Sequence, residues 1–537
     1  MKAFRGNVVH RFILDNAGLL AVILITAIFI SVRLAMPIKF DGSYIDEFFH
    51  IINGISLLES SHCAYFYNDG EPYSRGPIMS LWVGLWLTLF GKSMLVAKLA
   101  PATIGITNYF VYLYLSTKLI DKKRFQILSL LLFTISPWCI FNHFYIRMYV
   151  VYESFLLIIL LLGYKLYTAI KDGNGRSVAL FLVLITIINI INLFENDDDG
   201  KYMVLVASSV LIASLFILEF NTDLLKLWGL TIPRASTIFL STRRYRALLV
   251  IIVAILAFIL LDGFDRVEFL MTAKLQYTSA DGYKYPWLFF GKNGLITTFF
   301  ALAVATFWVK NNGFEKIILP ISGILFLIHF LSSEDLQITR GVLYFMPLFY
   351  LTAVIGASKV MYSLKWLWYF VISSMFLICT VNNVTRDYYW TPCIAHEISY
   401  IEYARLYEAV RKKCHGSLII EAAHASPQIA RFHGVNVDFV LSASGYANEN
   451  SQYTFDTDTE TYKTVWGSLP VITNINDLQM LNRDICLIVR RPSKERFIPS
   501  TFNKILQGAD ESWQFHNIAL YKFTPDTLRG CLKSSEK

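Results

Sequence analysis

AGLLAVILITAIFISVRLAMP, residues 17 to 37, is followed at once by IKFDGSYIDEFFHI, residues 38 to 51. The first stretch is apolar and long enough to cross a hydrocarbon layer of about 30 Å, which takes about 20 helical residues. The second sets Asp41, Asp46 and Glu47 where such a helix leaves the bilayer. Carboxylates at that position are costly to desolvate and call for a partner or a task. Lys2, Arg5 and Arg11 precede the apolar run, and no small-residue cleavage site follows it. The N-terminus therefore reads as a retained first span, not a cleaved signal peptide.

The rest of the chain repeats the pattern. Hydrophobic residues make up 55% and charged residues 16% of the sequence, a balance foreign to soluble globular domains. The fold class expected is a polytopic α-helical membrane protein with about eleven spans: 17–37, 95–117, 126–142, 150–169, 178–193, 202–219, 247–263, 295–309, 317–331, 340–358 and 366–381. The net charge of +8 is the excess of Lys and Arg expected of cytoplasmic loops and does not imply a nucleic-acid partner. The seven cysteines show no metal-binding spacing. Cys393, Cys414, Cys486 and Cys531 lie in the polar C-terminal part and can pair there if it faces an oxidising compartment.

PIMSLWVGLWLTLF, residues 77 to 90, decides the topology. It is short for a span, and counting it as one would put Lys118, Lys122, Lys123 and Arg124 outside. It reads instead as an interfacial helix with Trp82, Trp86 and Phe90 along one face. Cytoplasmic segments then carry nineteen Lys and Arg against ten in the short outer segments. This predicts a multi-pass plasma (inner) membrane protein with its N-terminus cytoplasmic and its C-terminal part extracytoplasmic.

The chain changes character near residue 383. Residues 1–382 read as the membrane domain, with a first outer loop at 38–94. Residues 383–537 read as a small α/β domain, with strands at 417–421, 437–441, 485–490 and 517–523 and an amphipathic helix over 397–413. No GxGxxG or P-loop is present, so nucleotide binding has no support.

Polar groups collect in the outer loops. The first offers Asp41, Asp46, Glu47, His50, Glu71 and Arg75, and the second His143, Tyr145, Arg147, Tyr149 and Glu153. The long loop at 262–294 offers Lys274, Tyr277, Tyr283, Lys284 and Tyr285, and Arg340 opens a late span. Carboxylates can activate an acceptor hydroxyl, and cations can hold a leaving phosphate. Each residue also has a plainer reading. Asp46 and Glu47 suit the first turn of a helix over 46–58 through its dipole, and Arg147 and Arg340 suit interfacial anchoring. His50, one turn after Asp46, weighs little as a metal ligand alone.

The pieces IDEFFHIINGISLLE (45–59), YSRGPIMSLWVGLWLTLFGKSMLVAKLAPATIG (73–105) and YIRMYVVYESFLLIILL (145–161) resemble the bacterial members of the dolichyl-phosphate-mannose protein mannosyltransferase-like superfamily. These are GT-C fold glycosyltransferases, a group that includes the aminoarabinose transferase of lipid A. ITRGVLYFMPLFYL (338–351) resembles their late Arg-containing span. The resemblance implies that Asp46 is the base and Glu47 its neighbour, with Glu153 at the second-loop acidic position. It matches Arg75 to a basic position before the Pro and Arg340 to the phosphate-contacting Arg. Arg147, Lys284 and Tyr285 join them as substrate- and phosphate-binding candidates from their place in the outer loops. Two departures stand out: Gly76-Pro77 replaces a double Pro, and Glu153 replaces the usual Asp. The family has members with and without a divalent ion, so a divalent metal is left open and no other cofactor is implied.

The implied function is an inverting glycosyltransferase, moving a hexosyl or pentosyl unit from a polyprenyl-phosphate donor to a hydroxyl on a lipid, glycan or protein. The alternative from another class is a secondary transporter or lipid flippase. Transporters are built from repeated halves with sites at the bilayer midplane. This sequence shows no repeat, and its charges gather at one face.

Overall fold

The computed structural model describes residues 2–39, 45–60, 75–195, 198–220, 343–360, 403–422, 427–441, 453–456, 461–464, 469–490, 499–515 and 518–535, with isolated positions between 314 and 325. In chain order the helices are α1 (Lys2–Lys39), α2 (Ile45–Ser60), α3 (Pro77–Phe90), α4 (Met94–Leu119), α5 (Lys123–Ile135), α6 (Pro137–Asn142), α7 (Tyr149–Lys171), α8 (Gly175–Leu193) and α9 (Asp198–Phe220). They continue as α10 (Met346–Val360), α11 (Tyr403–Lys413), α12 (Pro427–Phe432), α13 (Pro499–Gln507) and α14 (Pro525–Ser535). The chain forms two compact units, Met1–Met36 with Pro101–Ala395, and Pro37–Ala100 with His396–Lys537. Residues 37–100 thus group with the C-terminal region.

Within the first unit the helices are long because their apolar runs are long. Among the described residues, four stretches are long and apolar enough to cross a membrane: Asn16–Ile38, Met94–Leu119, Tyr149–Lys171 and Gly175–Leu193. They coincide with the expected spans 17–37, 95–117, 150–169 and 178–193. The expected spans at 247–263, 295–309 and 366–381, and most of 317–331, lie outside the described residues.

The run at 126–142 is not one helix. The chain leaves α5 at Ser136, whose ψ of 120° is the extended conformation forced on a residue before proline. Ser136 then caps α6, its Oγ accepting from the Cys139 backbone N–H, with Pro137 at the first helical position. Tyr350 of α10 donates its hydroxyl to the same Ser136 Oγ at 2.5 Å, so the break is buried and satisfied.

The second unit holds α2, α3 and a six-stranded sheet. Its strands are β1 (Leu418–Ala422), β2 (Phe439–Leu441), β5 (Val471–Ile472), β6 (Ile485–Arg490), β7 (Glu511–Phe515) and β8 (Ile518–Phe523); β3 (Tyr453–Asp456) and β4 (Thr461–Thr464) form a separate antiparallel pair. The sheet order is β5-β2-β1-β6-β8-β7, parallel from β5 to β6 and antiparallel at β8 and β7. Residues Ile485 to Val489 of β6 are all buried, so this strand is covered on both faces and reads as a continuous apolar run. Phe502, Ile505, Leu528 and Leu532 from α13 and α14 pack into that core. Cys414, just past α11, forms a disulfide with Cys486 in β6.

Candidate functional site

In the second unit a row of polar residues runs down one face of α2. Glu47, His50 and Asn53 recur at helical spacing, and each is at most 1% exposed. Glu47 Oε2 lies 4.0 Å from Lys98 Nζ, both side chains 1% exposed, and His50 Nδ1 is 3.1 Å from Ser80 Oγ on α3. Glycines make this approach possible. A Cβ on Gly54 would stand 2.1 Å from the Ser80 carbonyl oxygen, and one on Gly84 would stand 2.4 Å from the Gly54 carbonyl oxygen. The two helix backbones touch where no larger residue fits.

The helix expected over 77–90 is α3, with the same bounds. Gly76, at φ 58°, turns the chain into it, and Pro77 starts it. Met79, Ser80, Val83, Gly84 and Leu87 are buried, whereas Leu81, Leu85, Leu89 and Phe90 are exposed. Trp86 sits 6.5 Å from Trp82 and 4.8 Å from Phe90 between ring centroids, so the expected aromatic row is formed. Arg75 is exposed beside Gly76. Asp46 lies in the first turn of α2. Asp41, Lys284, Tyr285 and Arg340 lie outside the described residues.

The first unit buries a second polar cluster. Glu153 of α7 is fully buried and accepts from three donors: Asn108 Nδ2 (3.1 Å) and His143 Nε2 (2.9 Å) at Oε1, and Asn142 Nδ2 (2.8 Å) at Oε2. On the other side of the imidazole, Arg33 Nε donates to His143 Nδ1 at 3.2 Å. A guanidinium cannot accept, so Nδ1 is the acceptor and Nε2 carries the proton given to Glu153. His143 is therefore neutral, held between the Arg33 guanidinium and the Glu153 carboxyl group. Arg33 also donates to the backbone oxygens of Thr134 (2.5 Å) and Phe133 (3.0 Å), satisfying carbonyls at the end of α5, and lies 3.9 Å over the Phe29 ring. Arg147 is 8% exposed, in the turn before α7, with its guanidinium 5.9 Å from the Tyr149 ring centre.

Sequence reading named Glu47, His50, His143, Arg147 and Glu153 but missed Lys98, Arg33, Asn108 and Asn142. Their signal was available: Arg33 and Lys98 are charges inside apolar runs, which call for a partner. Among the described residues no cluster of three or more His, Cys, Asp or Glu could hold a metal ion.

No protein-family model matches this sequence, and no curated protein matches it. Solved structures do. The crystal structure of ArnT from Cupriavidus metallidurans in the apo state aligns with a TM-score of 0.53 at 10% identity, covering 94% of this chain and 98% of that one. ArnT bound to undecaprenyl phosphate aligns at 0.51 and 10% identity, covering 93% and 97%. The oligosaccharyltransferase AglB from Archaeoglobus fulgidus, in complex with an inhibitory peptide and a dolichol-phosphate, aligns at 0.49 and 11% identity, covering 94% of this chain and 74% of that one. The end-to-end match to ArnT, together with the long apolar helices and the C-terminal sheet, makes this chain a polytopic helical membrane protein of the GT-C fold.

Proposed function

We propose that this protein is an inverting glycosyltransferase that moves a monosaccharide from a polyprenyl-phosphate donor to a hydroxyl on a lipid, glycan or protein at the outer face of the membrane. The observation that carries this reading is the fold shared along nearly the whole chain with ArnT, a protein crystallised with undecaprenyl phosphate. The acid-bearing helix α2, wedged against α3 by Gly54 and Gly84, supports it.

Asp46 takes the proton of the acceptor hydroxyl, whose oxygen attacks the anomeric carbon. The bond from that carbon to the phosphate oxygen breaks on the opposite face, and polyprenyl phosphate leaves with the electron pair. Arg75, Arg147, Lys284, Tyr285 and Arg340 are the groups assigned to binding the donor and its growing phosphate charge. Glu47, facing Lys98, orients the first turn of α2. Glu153 has a positioning role, since its oxygens hold Asn108, Asn142 and His143 ahead of the turn that carries Arg147. The disulfide Cys414–Cys486 supports an extracytoplasmic C-terminal domain, because such bonds persist in oxidising compartments. The exposed leucine face of α3 supports its lying in the membrane interface.

The test uses purified protein with a panel of undecaprenyl-phosphate hexoses and pentoses. Asp46→Asn should lower transfer by about 10²-fold or more while undecaprenyl phosphate still binds. Near wild-type transfer by Asp46→Asn would overturn the base assignment. Transport across liposomes without a new glycosidic product would overturn the enzyme reading.

A further inference from the structure

The C-terminal region does more than cover its own sheet: it grips one side chain of α2. Phe48 is 1% exposed and meets three rings edge-on: Tyr403 at 5.6 Å, Phe432 at 5.7 Å and His433 at 5.9 Å between centroids. Phe48, α11 and α12 all belong to the second compact unit. The grip is itself braced. Tyr403 stacks on Tyr407 at 6.1 Å, and Tyr407 stacks on His433 at 5.4 Å. The Tyr407 hydroxyl donates to Glu421 Oε1 in β1 at 2.5 Å, and Arg411 Nη1 donates to the His433 carbonyl. The disulfide from Cys414 to Cys486 ties the far end of α11 to the middle of the sheet. One end of α11 is thus fastened to the sheet while the other end holds Phe48.

Phe48 lies two residues after Asp46 and next to Glu47, in the first turn of α2. The first turn of a helix is its least secure part, because its leading N–H groups have no partner within the helix. An acid in that turn holds its place only if something outside the helix fixes the turn. The ring cage supplies that fixation through a side chain that carries no chemistry of its own.

We propose that Phe48 is a positioning residue for the transfer reaction, and that the C-terminal domain acts as the clamp holding the acid-bearing turn of α2. This rests on the reading of Asp46 as base given above. The clamp fixes the turn that carries Asp46 and does not bind the donor, so its loss lowers kcat and leaves donor KM unchanged. Misplacing a catalytic group by about 1 Å can cost about 10²-fold in rate.

The experiment uses the full chain in lipid nanodiscs: wild type, Phe48→Ala, Phe48→Leu, Phe48→Tyr and Phe432→Leu. Hydrogen exchange should rise by about tenfold or more at residues 45–52 in Phe48→Ala, with β6 and β8 unchanged. Phe48→Leu and Phe432→Leu, which keep an apolar side chain in the contact, should show the same change at smaller size. Transfer from the undecaprenyl-phosphate sugar panel should show a kcat loss approaching about 10²-fold at constant donor KM, with Phe48→Tyr restoring most of it. Unchanged exchange at 45–52, or a KM rise at constant kcat, would overturn the proposal. Loosening throughout the domain in Phe48→Leu and Phe432→Leu would overturn it too, since the role would then be general folding. If Asp46→Asn keeps activity while Phe48→Ala loosens 45–52 alone, the base assignment fails and the clamp stands.

Discussion

Replacing Lys98 by methionine removes the cation facing Glu47 while keeping a side chain of similar length. The two charged groups are 4.0 Å apart and 1% exposed, so bulk water screens them little. At an effective dielectric of about 20, that separation corresponds to about 4 kcal/mol of attraction. Breaking a buried pair on one side costs about 3–5 kcal/mol, because an uncompensated charge is left inside. At roughly 2–4 °C per kcal/mol for a unit of this size, Lys98→Met should lower Tm by roughly 10 °C. Glu47→Gln should lower it too, because the carboxylate facing the Lys98 ammonium is lost. The double variant Glu47→Gln/Lys98→Met should recover most of the loss, because both charges of the pair are then removed together. The assay is thermal unfolding followed by intrinsic fluorescence in nanodiscs, arranged as a double-mutant cycle. Single variants within about 1 kcal/mol of wild type, or a double variant whose loss equals the sum of the singles, would refute the buried pair as a structural element.

Three further outcomes follow from the same geometry. Gly54→Ala and Gly84→Ala should each destabilise the chain by about 1–3 kcal/mol as the α2–α3 crossing is forced apart, whereas Gly530→Ala, which meets nothing within 4 Å, should be neutral or mildly stabilising; thermal unfolding of the three separates crossing from composition. Glu153→Ala should cost at least about 3 kcal/mol, because Asn108, Asn142 and His143 lose a buried acceptor, and its Tm should fall well below that of Asp46→Asn. Burial, and then the nearby Arg411, lower the His433 pKa to about 4, so the folded chain keeps this imidazole neutral. A depressed pKa means that the stability is present above about pH 6.5 and lost as pH falls toward 4, by up to about 3 kcal/mol. Tm measured from pH 7 to pH 4 should therefore fall less steeply in His433→Phe than in wild type.

Much of the architecture was legible in the residues. The spans at 17–37, 95–117, 150–169 and 178–193 and the helix at 77–90 all appear, because apolar run length and bounding glycines and prolines are local properties. The strands expected at 437–441, 485–490 and 517–523 appear as β2, β6 and β8 for the same reason. The helix break at Ser136 was hidden inside an apolar run, although Pro137 signalled it. Other features had no local signature. The pairing of Glu47 with Lys98 joins residues far apart in the chain, as does the bond from Arg33 to His143. The cage around Phe48 draws its rings from α11 and α12, more than 350 residues away.

The sequence by itself determined that this chain is a helical membrane protein with acids beside its first span and an α/β segment at its end. Hydrophobic length and period act within a few turns of chain, so they can be read without a partner. The tertiary structure decided which acids are enclosed and what encloses them. Glu153 holds three neighbours with its oxygens, Glu47 faces a buried lysine, and Phe48, in the turn that carries Asp46, meets rings of α11 and α12. The physical reason is desolvation: a buried charge or polar group must find its counterpart wherever the fold brings one, and that counterpart need not lie nearby in sequence.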